Sequence, residues 1–488
     1  MTQQGASGVP EKAKQGAEAR RRGQWWWTEA SIWTERMVSA MGNGVKGDKW
    51  YSLMDKVVRP TTLAAAWRKV ARNQGAAGVD GQSIERFAAQ AERYLQELQH
   101  SLADGSYRPH PVKRVDIPKG DGRTRPLGIP TVKDRIVQTA LKMVIEPIPR
   151  VRPLAGPRTC FETQFRPGSY GFRPGRSCKD ALREVDRLLK AGFTWVVDAD
   201  LQSYFDSIPH DRLMTLVKAS ISDGPVLALI EGFLQQDIMK DMARWRPTTG
   251  TPQGAVISPL LANLYLHPLD LLMEASGCRM VRYADDFVIL GRTEAEAMSA
   301  LRQVEAWVAA NGLTLHPEKT QVGDSYQPGQ GFEFLGYRFE AGRRLVRKKS
   351  LKALKDKVRS MTGRSRGDSL ERIISDLNPI LRGWFGYFQH ATPALFGVLD
   401  AFIRRRLRAI LRKQEKRPGM GRCQADHQLG PMPSSRLTGY SPFAWPMSKR
   451  DTPDEETNDW RAVCGRTART VRRAGRAPTL PDPYRISL

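Results

Sequence analysis

An α+β fold is predicted by three features of the chain. From residue 83 to about residue 342, short β-prone runs alternate with helical patterns. Two of these runs carry acids at their ends: the run from Thr194 leads out through Asp198 and Asp200, and the run from Cys278 to Leu290 holds Asp285-Asp286 between apolar flanks, as a hairpin with its acids at the tip. After Gly342 the strand-like pattern gives way to helical segments dense in Lys and Arg.

At 488 residues the chain is long enough for several domains with real cores. With 40% hydrophobic and 26% charged residues it reads as globular. A net charge of +26 and a pI near 10.1 exceed what surface solvation needs and predict a polyanionic partner, most simply nucleic acid. The sequence has neither a long apolar span nor a basic amphipathic helix with a clean apolar face, so no membrane partner is expected. Met1 to Gly23 lacks the apolar centre of a signal peptide. The cysteines (Cys160, Cys178, Cys278, Cys423 and Cys464) have no C-x-x-C spacing, which suggests a reducing compartment and argues against structural zinc. The expected location is the cytoplasm.

Taken in order, residues 1–24 read as a disordered basic arm. Trp25-Trp26-Trp27 cannot all face one core. Ala30 to Arg72 is helical in pattern, and Asn73 to Gly81 is a Gly-rich loop that ends it and allows close backbone approach at Gly75 and Gly78. Residues 83–104 return to helix. Val115 to Pro130 reads as two strands around a Gly-Asp-Gly turn; its cations Lys119, Arg123 and Arg125 could clamp phosphates, or could simply be solvated. Thr131 to Glu146 is a helix with Ile136, Ala140, Leu141 and Val144 inward. Ser169 to Ser177 combines Gly, aromatic rings, Arg173 and Arg176, a composition able to stack on and neutralise a strand, and it leads into a helix from Cys178 to Lys190. Gly250 to Leu266 is a Gly/Pro turn opening a largely apolar helix. Gly312–Thr320 and Gly331–Tyr337 look strand-like.

Adjacent carboxylates repel, and neither is easily buried unpaired. A solvated acidic turn or a bound cation would each resolve the Asp285-Asp286 pair. A sheet that brought Asp200 and Asp285 together could hold two Mg²⁺ ions, which suit phosphoryl transfer.

Tyr283-Ala284-Asp285-Asp286, with Gly250–Leu266, resembles the reverse transcriptase signature. The likeness is greatest to the bacterial group II intron-encoded reverse transcriptases, or maturases. The Asn73 loop, Arg125-Pro-Leu-Gly-Ile-Pro, Ser169-Tyr-Gly-Phe-Arg-Pro-Gly, Phe332–Gly336 and Leu377–Trp384 follow in the same order as in that family. The resemblance implies a right-hand polymerase of fingers, antiparallel palm sheet and α-helical thumb, with an N-terminal helical extension. It implies Asp200 and Asp285 as metal ligands, with the Leu201 carbonyl and a second carboxylate, Asp286, beside them; Asp198 competes with Asp200. The ions would be two Mg²⁺, with Mn²⁺ as a substitute. Because neighbouring hairpin residues point different ways, Asp285 rather than Asp286 is expected to face Asp200. Phe205, or else Tyr204, would lie under the sugar and exclude a 2′-hydroxyl. Lys119 and Arg125 would hold the triphosphate, and Gln253 and Gly254 would lie along the incoming nucleotide. Lys319 would stand near the pyrophosphate as a general acid. Asn73, Gly75, Gly78, Arg173 and Arg176 would meet the template.

The expected organisation is 1–24 disordered, 25–82 an N-terminal extension with a template-lid loop, 83–342 fingers and palm, 343–415 a helical thumb or maturase domain, and 416–488 a basic DNA-binding-like segment. That last segment lacks paired-Cys or repeated-His spacing, so no HNH endonuclease is expected in it. Implied partners are intron RNA, an RNA template, a DNA primer or target and deoxynucleoside triphosphates; monomer and dimer stay open. Two alternatives remain: an intron-independent relative used in DNA repair or phage defence, and a catalytically silent RNA-binding splicing factor.

Overall fold

The structure, a computed structural model, describes residues 27–34, 37, 50–118, 124–148, 165–241 and 243–414. The expectations for 1–24, Trp25, Trp26, Lys119 and 416–488 lie outside these residues.

A one-turn helix at Met54–Val57 precedes α1 (Pro60–Asn73). The expected continuous helix from Ala30 to Arg72 is thus interrupted. Pro60 drives the residue before it out of the helical region, and Arg59 takes ψ 133. The stretch 83–104 also divides, into α2 (Ile84–Ala88) and α3 (Ala91–Ala103), with Gln90 at φ −135, ψ 32 between them. Next come β1 (Val112–Pro118) and β2 (Thr124–Ile129), paired antiparallel as the sequence predicts, then α4 (Val132–Ile145). The side chain of Thr131 caps α4 by accepting from the Asp134 amide.

α5 (Cys178–Lys190) starts in a reciprocal capping box between Ser177 and Asp180. It is followed by β3 (Trp195–Asp200), a one-turn helix Tyr204–Ser207, α6 (His210–Lys218) and α7 (Gly224–Leu234). A small hairpin, β4 (Ile238–Lys240) and β5 (Ala243–Trp245), was not anticipated from the sequence. It extends the β1–β2 ribbon into a sheet ordered β2-β1-β4-β5. α8 (Ser258–Ala275) leads to β6 (Arg279–Tyr283), β7 (Asp286–Gly291) and α9 (Glu294–Ala310). A strand expected within 312–320 falls instead at β8 (Gln321–Asp324). The central sheet is antiparallel throughout, in the order β6-β7-β3-β8. A three-stranded sheet follows, of β9 (Phe332–Phe334), β10 (Tyr337–Glu340) and β11 (Arg343–Val346), then α10 (Lys348–Met361), α11 (Leu370–Phe388) and α12 (Ala394–Gln414).

Alternation along β3 and β7 sends their side chains into two cores. Val197, Ala199, Phe287 and Ile289 join the helical core of α1, α4, α8 and α9, which also contains Ile32, Trp33 and Leu53. Residues ahead of α1 therefore share a core with the central sheet. Val196, Val288 and Leu290 face the other way, against α5, the three-stranded sheet and the aromatic cluster of Phe385, Tyr387 and Phe388 on α11. Asp198, Asp200 and Asp286 lie on this second face of the sheet. Cys178 is disulfide-bonded, which the reading of the cysteines did not foresee, and Cys278 is a free thiol. No helix among the described residues is long and apolar enough to cross a membrane.

Candidate active site

The β3–β7 ladder pairs Asp200 with Asp286 and Asp198 with Val288. Directly opposed residues share a face, so Asp198, Asp200 and Asp286 stand together. This corrects the expectation that Asp285 is the acid facing Asp200. Tyr283 and Asp286 close the hairpin as a pair, which leaves Ala284 and Asp285 as its turn. Asp285 stands beyond the last rung, yet the charge of Asp200 is felt at both acids. Burial, with the charges of Asp198, Asp285 and Asp200, pushes Asp286 up to about 8. Burial pushes Asp198 up to about 7, against a backbone hydrogen bond from Glu333. Burial also raises Asp285, partly offset by its own backbone and by Arg125. The Lys319 ammonium lies 2.5 Å from Asp200 Oδ2, with both side chains partly exposed.

The turn that carries Asp285 is held from beneath. Ala284 has φ +63, a left-handed value usually left to glycine in such turns. Arg282, fully buried, donates from Nη1 to the Ala284 carbonyl at 2.8 Å and to Asn263 Oδ1 at 3.0 Å. Its Nε donates to Asp270 Oδ1 at 2.7 Å, and its Nη2 pairs with the other Asp270 oxygen. Asn263 in turn donates to the Gly171 carbonyl at 2.7 Å. The 168–171 segment runs beside β6, with Tyr170 N donating to Arg282 O and Arg282 N to Gly168 O. A Cβ on Gly171 would sit 2.2 Å from the Ala284 nitrogen. Sequence reasoning missed Arg282, Asp270 and Asn263 as parts of the site. The signal was present: a cation in an apolar strand, and an acid and an amide in an apolar helix.

Two expected nucleotide-binding stretches meet. Arg125 Nε donates to Gln253 Oε1 at 2.8 Å, and the Gly128 amide donates to the Gln253 carbonyl at 2.6 Å. Gly254, at φ +113, abuts the Gly128 carbonyl. Thr251 N donates to Phe205 O at 2.6 Å, so the 250–254 turn rests on the backbone beside Phe205. Of the two aromatic candidates, Tyr204 is turned inside, its hydroxyl donating to Ala262 O at 2.6 Å. Phe205 is also buried and packs against the rings of Tyr204 and Phe172. Leu201 is buried and bridges to Leu315, while the Asp200 carbonyl accepts from His316 N.

Several expected template contacts turn inward instead. Arg173 is buried, and its guanidinium donates to the carbonyls of Arg166 and Ser169 at 2.9 and 2.6 Å and lies over the Phe165 ring. Arg176 donates to the Pro167 carbonyl at 2.6 Å and lies over Tyr170. Both arginines staple the loop, because a folded loop's carbonyls need donors. At Gly78 a Cβ would meet the Thr131 backbone at 2.7 Å, so glycine there serves packing against the start of α4. Gly75 has φ +127, and Asn73 is the last residue of α1.

Among the described residues, no group of three or more His, Cys, Asp or Glu is arranged to hold a metal ion. The donor chemistry nevertheless fits a hard divalent cation: mutually repelling carboxylates, two of them buried and raised in pKa.

An antiparallel sheet with acids where two strands meet, and a ribbon whose Arg125 charge is felt at Asp285, are features of a nucleic-acid polymerase of the reverse transcriptase class. Residues 117–339 match the family described as reverse transcriptase (RNA-dependent DNA polymerase), and residues 351–427 match the group II intron, maturase-specific domain. Protein YkfC of Escherichia coli (strain K12) is 35% identical over 340 residues, 61% of this chain and 84% of that protein. The group II intron-encoded protein LtrA of Lactococcus lactis subsp. cremoris is 36% identical over 217 residues, 44% of this chain. That match takes in 34% of LtrA, about a third of its length. Among solved structures, a chain of the partial Cas6-RT-Cas1--Cas2 complex is 25% identical over 53% of this chain and 41% of that one, at a TM-score of 0.31. The chain belongs to the family of group II intron-encoded reverse transcriptases. Reverse transcriptases generally use divalent metal ions, and the domains present point to nucleic acid as the partner.

Proposed function

We propose that this chain copies RNA into DNA for a group II intron and binds that intron's RNA to assist splicing and mobility. The observation that carries the polymerase reading is the Asp200–Asp286 rung with Asp285 in the adjoining turn. Asp200, Asp285, Asp286 and the Leu201 carbonyl would hold two Mg²⁺ ions, or Mn²⁺ in their place. When bound, such ions favour deprotonation of a primer 3′-hydroxyl and stabilise charge on the departing pyrophosphate.

The protein groups do the rest by position. Arg125 and Lys119 receive the triphosphate. The hydrogen bond from Arg125 orients Gln253, so the 250–254 turn is set before the nucleotide arrives. Phe205 backs the sugar and disfavours a 2′-hydroxyl. Lys319, already beside Asp200, can swing to the pyrophosphate and give it a proton. The loop from Asn73 to Gly81 lies over the template. The basic face of α10, with Lys348, Lys349, Lys352 and Lys355, and the Arg404–Arg406 run of α12 suit an RNA backbone.

The test is extension of a DNA primer on an RNA template with deoxynucleoside triphosphates and Mg²⁺. The unmutated chain is expected to extend and Asp285→Ala is not. Failure of the unmutated chain to extend would sink the polymerase reading. Recovery of intron RNA with the purified protein tests the splicing partner separately.

A further inference from the structure

The Ser169–Ser177 loop was expected to meet nucleic acid through its arginines, yet Arg173 is buried and Arg176, half-buried, is engaged by the Pro167 carbonyl and the Tyr170 ring. The large side chain of the loop that turns outward is Phe172, immediately before Arg173. It is 38% exposed, whereas Gly171 is buried before it and Arg173 after it. Phe172 also holds φ +61, in the left-handed region that a bulky side chain rarely adopts. Glycine would meet that backbone requirement without strain. A strained backbone that still carries a large exposed ring points to use of the ring itself.

The location says what use. Gly171, the residue before it, touches the turn that carries Asp285, and its carbonyl is fixed by Asn263. The Phe172 ring stands 6.5 Å from the Phe205 ring at 82°, edge to face. Phe205 is only 7% exposed, so Phe172 is the more exposed ring of the pair. The wall then has one end at the acids and the other at the 250–254 turn, which hydrogen-bonds to the Phe205 carbonyl.

The geometry points to Phe172 as a specificity-determining residue, whose ring joins Phe205 in the apolar wall that packs against the sugar of the incoming nucleoside triphosphate. This rests on the polymerase reading above. An apolar wall at the sugar's 2′ edge accepts a CH₂ and leaves a hydroxyl without a partner, so it favours deoxynucleotides. Removing the outer ring opens that edge to water, which can solvate a 2′-hydroxyl.

The experiment compares Phe172→Gly, Phe172→Tyr and Phe205→Val in the full chain, on an RNA template with a DNA primer. The ratio of kcat/KM for dGTP over GTP is measured, along with the melting midpoint. Phe172→Gly is expected to melt no lower than the parent, since glycine suits the backbone. Its preference for dGTP is expected to fall on the order of tenfold, mainly through a higher KM for dGTP and a lower one for GTP. Phe172→Tyr, which keeps the ring, is expected to retain the preference. An unchanged dGTP/GTP ratio in Phe172→Gly, while Phe205→Val alters it, would overturn this inference and leave the polymerase reading standing. A melting midpoint lowered by Phe172→Gly with the ratio intact would assign the ring to packing and overturn it too. Absence of extension by the unmutated chain would overturn both.

Discussion

Arg282 donates a hydrogen bond to the carbonyl of Ala284, 2.8 Å away, and so reaches past its own strand to hold the residue before Asp285. The same guanidinium is clamped by both oxygens of Asp270 on α8, with neither side chain reaching solvent. A buried ion pair is weak evidence of net stabilisation, but removing one partner strands the other charge. Arg282→Ala is therefore expected to cost about 3–5 kcal/mol in chemical denaturation. Arg282→Lys keeps the charge and loses the fork that serves Asp270 and Ala284 together. It is expected to fold, with kcat for primer extension falling more than KM rises. Equal loss of template binding and turnover would mean that Arg282 supports the palm only in bulk.

Glycine at 171 allows the loop and the turn to touch backbone to backbone. In Gly171→Ala the added methyl would lie 2.2 Å from the Ala284 nitrogen, with rigid main chain on the other side. Overpacking of this kind costs roughly 1–3 kcal/mol and moves whichever segment is softer. The softer candidate is the strained turn bearing Asp285, so extension activity is expected to drop by more than the melting midpoint suggests. Gly224→Ala is the control. It lies at the start of α7, where a Cβ meets nothing within 4 Å. A neutral or slightly stabilising effect, up to about 1 kcal/mol, is expected there.

His110 supplies a pH dependence away from the acids. Its ring nitrogen lies 3.5 Å from the buried Asp134 carboxylate, which also accepts from the Tyr107 hydroxyl at 2.5 Å and from Gln236 at 3.2 Å. The hydrogen bond to Asp134 raises the His110 pKa above its ordinary 6.5, with burial opposing. A raised pKa means that the folded state holds the proton more tightly. The associated stability is fully present below about pH 6.5 and is lost as pH rises through the raised value. Melting midpoints across pH 6 to 8 are expected to decline more steeply in the parent than in His110→Asn. Parallel curves for the two proteins would remove His110 from the account.

Local patterns carried much of this fold. Cys178 to Lys190 is a helix with the expected ends, because Ser177 and Asp180 form its cap and the apolar spacing is regular. The hairpin of β6 and β7 was legible from two apolar flanks around the acids. Its register was not. The closing pair is Tyr283 and Asp286, and a shift of one residue decides which acid stands across from Asp200. That choice depends on β3, a strand distant in sequence. The inward turn of Arg173 was illegible for a similar reason, since only the folded loop shows which carbonyls lack donors. Long-range packing also decides that Ile32 and Trp33 belong to the palm's core.

Arg125 and Gln253 come from segments that the sequence assigned separately to the triphosphate and to the nucleotide, and a 2.8 Å hydrogen bond joins them. If that bond presets the pocket, the two side chains act as one unit. Arg125→Ala removes a cation whose field also reaches Asp285. Gln253→Ala leaves Arg125 in place and without this acceptor. Each is expected to raise KM for the deoxynucleotide on the order of tenfold or more, as loss of a charged hydrogen bond of about 1.5–3 kcal/mol implies. The double variant should lose clearly less than the product of the single losses, a coupling of about 0.5–3 kcal/mol. A double-mutant cycle on kcat/KM in primer extension measures this. Multiplicative losses would show that Arg125 and Gln253 meet the nucleotide independently, and that their hydrogen bond does not preset the pocket.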